Sequence, residues 1–267
     1  MVDYANTGNY FVIDATNSDY REVFERENYD ICINCAGAAS VPDSLLHPHR
    51  DYSLNAINVF KLLDSIRLTQ PNCKFINLSS AAVYGNPGEL PIKENQRATP
   101  VSPYGYHKLM SEQICKEFYQ FFGIATCSLR IFSAYGKGLR KQLFWDLYQK
   151  AKTRTSITLF GSGLESRDFI YIDDLVQAIR VLATQGDFKG QAINVANGEE
   201  VFIKDGVAAF YSLFDYEVRY DFSGQQREGD PNNWVADVSI LTKLGYKREF
   251  SLMAGLTKYY QWIKELD

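Results

Sequence analysis

Apolar runs of strand length alternate with amphipathic helical runs through the first half of this 267-residue chain, which predicts an α/β fold with a doubly wound parallel sheet. Two further observations refine that prediction. Several strand-like runs end in small or hydroxyl residues, which suits the carboxyl edge where such sheets bind ligands. After residue 133 the elements shorten and the loops carry more glycine, as in YGKGLR, GSGLES, NGEE and SGQQREGDPNN. That pattern predicts a smaller C-terminal α/β lobe covering the same edge.

In chain order, NYFVID (9 to 14) reads as a strand and SDYREVFEREN as a helix. DICINCAG (30 to 37) alternates like a strand, and HRDYSLNAINVFKLLDSIRLT has the apolar period of one long helix. KFINLSS (74 to 80) is the next strand, followed by a loop rich in Pro and Gly. Ser102-Pro103 signals a helix start, because serine caps and proline has no N–H to lose. The helix PYGYHKLMSEQICKEFYQFF and the strand IATCSLRIF (124 to 132) complete the rhythm. The expected division is a sheet domain of 1–133 plus about 168–196, and a substrate lobe of about 134–167 plus 197–267.

At 46% hydrophobic and 14% aromatic residues, the chain can bury a large core. No stretch approaches membrane-spanning length and no signal-peptide pattern opens the chain, so no membrane partner is expected and cytoplasm is the expected location. A net charge of -4 and a pI near 5.5 disfavour nucleic acid as a partner. Cysteines 32, 35, 73, 115 and 127 lie in or beside apolar segments and read as reduced core thiols. The three histidines show no metal spacing, so no metal site is expected.

The chemistry concentrates at Tyr104-Gly-Tyr-His-Lys108. Residues four apart share a helix face, so the ammonium can lower the phenol's pKa while Ser80, at the end of a strand, hydrogen-bonds the same reacting oxygen. Such a group transfers the proton when an alcohol is oxidised or a ketone reduced. The spacing recurs at Tyr148 and Lys152 and at Tyr260 and Lys264, inside QLFWDLYQKAK and LTKYYQWIKEL. There the tyrosine reads as helix packing and the lysine as solvated.

NLSSAAVYG (77 to 85), YGYHK, LRIFSAYG (129 to 136), LFGSGLESRDFIYIDDLVQAI (159 to 179), AINVANGEE (192 to 200) and REGDPNNWVADVSILTKLGY (227 to 246) follow one another in an order that resembles one family. It is the extended short-chain dehydrogenases/reductases of the NAD-dependent sugar-nucleotide epimerase/dehydratase type, and the likeness runs from about residue 9 to the C-terminus. The resemblance implies a Rossmann-like sheet, NAD as cofactor with NADP left open, a nucleotide-diphosphate sugar as substrate, and a homodimer. Leu109, Ile114 and Phe118 suit either the dimer face or packing on the sheet.

By the same resemblance Ser80, Tyr104 and Lys108 are catalytic, and Tyr104 and Lys108 also touch the cofactor. Asp14, with Ala15 beside it, would accept from the adenine amino group, or else cap a helix in solvent. Cys35, Ala36 and Gly37 would let backbone approach a dinucleotide, although a tight turn needs the same residues. Asn55 would sit near the nicotinamide ribose, or bond locally within its helix. Arg167 and Arg227 would hold diphosphate with their forked donors, and Asp230 would bond the sugar or orient Arg227; the alternative for each is a surface salt bridge. Ser133 stands where many UDP-hexose 4-epimerases carry Asn and would line the sugar.

Residues after the catalytic hydroxyl separate the reactions of this family. Dehydratases carry Asp-Glu there, and this chain carries Ala81 and Ala82, whose methyl groups cannot transfer a proton. C4 epimerisation through a 4-keto sugar is therefore the implied reaction; the alternatives are a keto-reductase and a nucleotide-sugar-binding protein without turnover. The family opens with a strand, a G-x-x-G-x-x-G turn, a helix and a second strand, for which this sequence has no counterpart. The expectation is a truncated start lacking roughly 50 residues, a sheet interrupted beside DICINCAG, and weak NAD binding.

Overall fold

The computed structural model describes residues 12–15, 19–153, 156–225, 229 and 231–266. Helix α1 (Arg21–Arg26) leads to strand β1 (Ile31–Asn34), then α2 (Val41–Leu46) and α3 (Pro48–Tyr52). A π-turn, Ser53–Ile57, joins α3 to α4 (Asn58–Thr69) in continuous helical backbone. Strand β2 (Lys74–Ser80) runs into a 3-10 turn (Ala81–Tyr84), and after a loop come α5 (Pro103–Phe122) and β3 (Thr126–Ile131). The remainder is β4 (Ser133–Tyr135), α6 (Gln142–Thr153), β5 (Ile157–Leu159), β6 (Ser166–Arg167), β7 (Phe169–Tyr171), α7 (Ile172–Gln185), β8 (Lys189–Val195), β9 (Val201–Phe202), α8 (Ile203–Tyr211), β10 (Tyr220–Phe222), α9 (Ser239–Lys243) and α10 (Leu252–Lys264).

Strands β1, β2, β3 and β8 pair in that order, all parallel. Alternation along the strands sends side chains to both faces. Ile76, Cys127, Leu129, Ile193 and Val195 meet Leu175, Ala178 and Leu182 of α7 on one face. On the other, Phe75 meets Val59, Leu62, Leu63 and Ile66 of α4, Cys115 and Phe118 of α5, and Phe24 of α1. Helices cover both faces, so the sheet is doubly wound. A further core, with Tyr135, Phe144, Tyr148, Phe169, Phe210, Tyr259 and Tyr260, is built from residues after 133.

The structure departs from the sequence reading at several points. Of the strand expected over 9–14, residues 9–11 lie outside the described residues and 12–14 form no strand; β1 pairs only with β2 among the described residues. The long helix predicted over 49–69 contains the π-turn, which no apolar period announces. Phe118 is buried against the sheet, where it cannot serve a dimer face, and Ile114 packs on the same cluster. Cys35 is exposed, while Cys73, Cys115 and Cys127 are buried; all five thiols are free. No described helix is long and apolar enough to cross a membrane.

Candidate active site

The site is organised by the start of α5. Ser102 caps it by accepting the Gly105 N–H at 3.2 Å, Pro103 takes the first helical position, and Gly123 closes the far end with φ 70°. A side chain at Gly105 would stand 2.6 Å from the Ala82 carbonyl oxygen. Only glycine lets the helix press against the 3-10 turn that follows Ser80, and this contact brings Tyr104 to Ser80. The Tyr104 N–H is spent on the buried Ser44 hydroxyl of α2, at 3.1 Å.

Ser80 caps the 3-10 turn, its oxygen accepting the Ala82 N–H at 3.2 Å. That bond fixes the hydroxyl beside the phenol. Burial pushes the Tyr104 phenol up to about 12, against the downward pull of the Ser80 hydrogen bond and with the Asp51 charge adding to the rise. Lys108 is 6% exposed, donates to the Leu78 carbonyl at 2.8 Å, and lies 5.9 Å from the Tyr104 ring centre. Burial draws its ammonium down to about 8, opposed by Asp51 and Glu112. The expected acidification of the phenol by the ammonium is thus not the arrangement found. Lys108 addresses a backbone carbonyl, and enclosure dominates both groups.

Gly37 has φ 141°, and a side chain there would lie 2.6 Å from Asn55 Oδ1 and 3.3 Å from Lys108 Nζ. Backbone at Gly37 therefore abuts Asn55 and Lys108 directly. The amide of Asn55 is buried and neither polar atom has a hydrogen-bond partner, which removes the local-bonding alternative. Cys35 and Ala36 are exposed just past β1; the Cys35 N–H donates to Ile33 O at 3.1 Å and the Ala36 N–H to Asn34 Oδ1 at 3.2 Å. The segment is both a tight turn and a close approach. Asp14 and Ala15 precede α1 outside any strand, Asp14 exposed and its charge acting on the Tyr20 phenol.

Arg167 is held by the Ser166 and Asn232 carbonyls, at 2.7 and 3.2 Å, with its guanidinium 5.6 Å from the Trp234 ring centre. Trp234 donates to Gly85 O at 3.0 Å and packs with Phe132, Ala81, Ala82 and Tyr84 in the cluster that Tyr104 leans on. Arg167 therefore borders the apolar cluster against which Tyr104 packs. Ser133 is half-buried and donates its N–H to the Asp168 carbonyl at 3.0 Å. Arg227 and Asp230 lie outside the described residues. Gly229 between them has φ 80°, and a side chain there would meet Val41 at 2.7 Å and Ser102 at 3.6 Å, so the loop crosses the α5 N-terminus at that point.

The structure thus gathers Ser80, Tyr104, Lys108, Gly37 and Asn55. Sequence reasoning missed Gly105, Ser44, and Asp51 with His107, whose Oδ1 and Nδ1 stand 2.6 Å apart beside Tyr104 and Lys108. A glycine in the first turn of a helix was a usable signal for the first; the others depend on tertiary packing alone.

The description NAD dependent epimerase/dehydratase family matches residues 4–196. The chain is 29% identical over 245 residues to the uncharacterised UDP-glucose epimerase YtcB of Bacillus subtilis, covering 90% of this chain and 76% of that protein. It superposes on the UDP-glucuronic acid 4-epimerase of Bacillus cereus in complex with UDP-glucuronic acid and NAD with TM-score 0.87 at 27% identity, covering 96% and 81% of the two chains. The UDP-N-acetylglucosamine 4-epimerase of Methanobrevibacter ruminantium in complex with UDP-N-acetylmuramic acid gives TM-score 0.85 at 27% identity, covering 96% and 82%. This chain belongs to the NAD dependent epimerase/dehydratase family.

Proposed function

We propose that the chain catalyses NAD-dependent epimerisation of a nucleotide-diphosphate sugar at C4. The observation that carries this is the convergence of Ser80, Tyr104 and Lys108 beside Gly37 and Asn55, on a wall where positions 81 and 82 offer only buried methyl groups. The solved relatives named above bind UDP-sugars, one of them with NAD.

The residues present fit the nicotinamide-ribose end of a dinucleotide. Asn55 has two buried, unpartnered polar atoms, and the space against it and Lys108 is one that any side chain at position 37 would fill. Gly37, Asn55, Lys108 and Tyr104 would hold the nicotinamide ribose, with Cys35 and Ala36 lining the approach and Asp14 and Ala15 at the adenine end. Bound NAD supplies the acceptor and donor of hydride at C4. Tyr104, acting as the phenolate, takes the C4 hydroxyl proton and later returns it, Ser80 holds the sugar oxygen, and Lys108 anchors the ribose. The 4-keto sugar turns between the two transfers, so its other face is reduced. Arg167, Arg227 and Asp230 serve the nucleotide diphosphate and Ser133 the sugar, on a substrate lobe of 134–167 plus 197–267.

The reading extends to a homodimer in the cytoplasm. Phe60 beside the π-turn helix and Tyr106 and Met110 on α5 are large and exposed, which suits a helical interface. Incubation with UDP-glucose, UDP-glucuronate and UDP-GlcNAc tests the function: formation of the 4-epimer without net NADH is the expected result. Net consumption of NADPH, or binding with no isomer, would replace it.

A further inference from the structure

We propose that Glu112 is a positioning residue for this site: through Ser79 and Arg130 it locks the helix carrying Tyr104 and Lys108 onto the two strands behind Ser80, and it sets the field at the Lys108 ammonium. Turnover enters the proposal only through the epimerase reading above; the geometry stands without it.

Tyr104, Lys108 and Glu112 are spaced by four, so they form one stripe along α5. Tyr104 stands beside Ser80, Lys108 reaches the Leu78 carbonyl, and Glu112 reaches Ser79 and Arg130. Ser79 and Arg130 are directly paired across β2 and β3, one position before Ser80 and Ile131. Glu112 meets both. The Ser79 hydroxyl donates to its Oε1 at 2.5 Å, Arg130 Nε to Oε1 at 3.0 Å, and Arg130 Nη2 to Oε2 at 2.7 Å. Arg130 Nη1 continues to the Tyr84 hydroxyl at 2.8 Å and the Glu94 carbonyl at 2.9 Å, and Tyr84 donates to Asn194 at 2.7 Å. Every one of these side chains except Glu94 is buried.

The placement is selective. On the same face of the sheet, Phe75 packs against Phe118 in a purely apolar contact farther from the site. Nearer the site the rungs turn polar: Asn77 donates to Ser111 at 2.9 Å, and then comes the Ser79, Arg130, Glu112 group. Apolar packing tolerates small slips along a helix axis; a forked ion pair with a serine bond does not. The polar group therefore fixes where along the strand the α5 stripe stands, and with it the separation of Tyr104 from Ser80. The charged and titratable groups facing Lys108 are Asp51 from α3, Tyr104 from its own helix and Glu112 one turn on, and both carboxylates favour the ammonium.

The test uses the full chain labelled with ε-13C lysine, so that NMR follows Lys108, assigned with Lys108→Met. In Glu112→Gln the Lys108 midpoint is expected to move down from its value in the parent. In Glu112→Asp, which keeps the charge and shortens the reach, it stays while kcat falls on the order of tenfold with KM little changed. An unmoved midpoint in Glu112→Gln, or an unchanged kcat in Glu112→Asp, whatever happens to Tm, overturns the proposal. Should Glu112→Gln fail to fold because Arg130 is left with an unpaired buried charge, the double variant Glu112→Met with Arg130→Met removes both charges, leaves little net change of field at Lys108, and must show the kcat fall of a lost lock. If the parent interconverts no UDP-sugar, the epimerase reading fails, and the Lys108 titration still decides this inference.

Discussion

Tyr104 and Lys108 on α5 can be set against Tyr148 and Lys152 on α6. The spacing is the same, and the lysine nitrogen stands 5.9 Å from the ring centre in the first pair and 5.8 Å in the second. What differs is the surroundings. Tyr148 is buried among Phe214, Tyr260 and the rest of the lobe core, and Lys152 lies exposed. In the α5 pair the burial is reversed: Lys108 is enclosed and Tyr104 keeps partial exposure, with Ser80 and Asp51 acting on its phenol. The same spacing serves packing in one pair and, in the other, sets a phenol beside a serine with an enclosed lysine; ring-to-ammonium distance does not tell the two apart.

The sharpest break of this comparison comes from removing the two phenol oxygens in turn. Tyr104→Phe should lower the epimerisation rate by about 10²–10⁴-fold, measured by isomer formation from a UDP-sugar, whereas Tyr148→Phe should leave it within about twofold. Equal effects would erase the distinction. Truncating the packed ring reverses the ranking: Tyr148→Ala should cost about 3–5 kcal/mol in urea unfolding, as large buried rings do.

Lysine burial gives a third, smaller contrast, with a sign that can be worked out. The folded-state value for Lys108, about 8, lies below its ordinary 10.5, so the folded chain holds this proton less tightly than the unfolded chain does. Burying the ammonium therefore costs stability below pH 8, and that cost fades as pH rises from 8 through 10.5. Lys108→Met should raise stability at pH 7 by on the order of 1–3 kcal/mol while abolishing activity, and the gain should shrink by pH 10. The same change at Lys152 should do neither. The smallest effect concerns the cofactor wall: Gly37→Ala places a methyl group against Asn55 and should weaken NADH binding, followed by fluorescence, by roughly tenfold.

Strands β2 and β3 and helix α5 were legible almost residue by residue, because alternation, the apolar period and the Ser102-Pro103 start are local signals. Ser80, Tyr104 and Lys108 were legible for the same reason, each lying at a recognisable element end or helix stripe. Asn55 was found as a residue but not as a geometry: nothing in NAIN announces a π-turn. Spacing places an ammonium near a phenol but cannot show that Leu78 claims the ammonium, or that burial raises the phenol against the Ser80 hydrogen bond. Glu112 was invisible as a site residue, because its partners Ser79 and Arg130 are 33 and 18 residues away along the chain.

The π-turn of Ser53–Ile57 takes up more residues per revolution than the helices it joins. Loss of one residue from that stretch would let α3 and α4 fuse into ordinary helix while rotating whatever stands at position 55 by about 100°. Fold and the contact of Asn55 with Gly37 are thus separable there by a single codon. A one-residue deletion among 53 to 57 should yield a soluble, well-packed protein whose Gly37 no longer has an amide beside it.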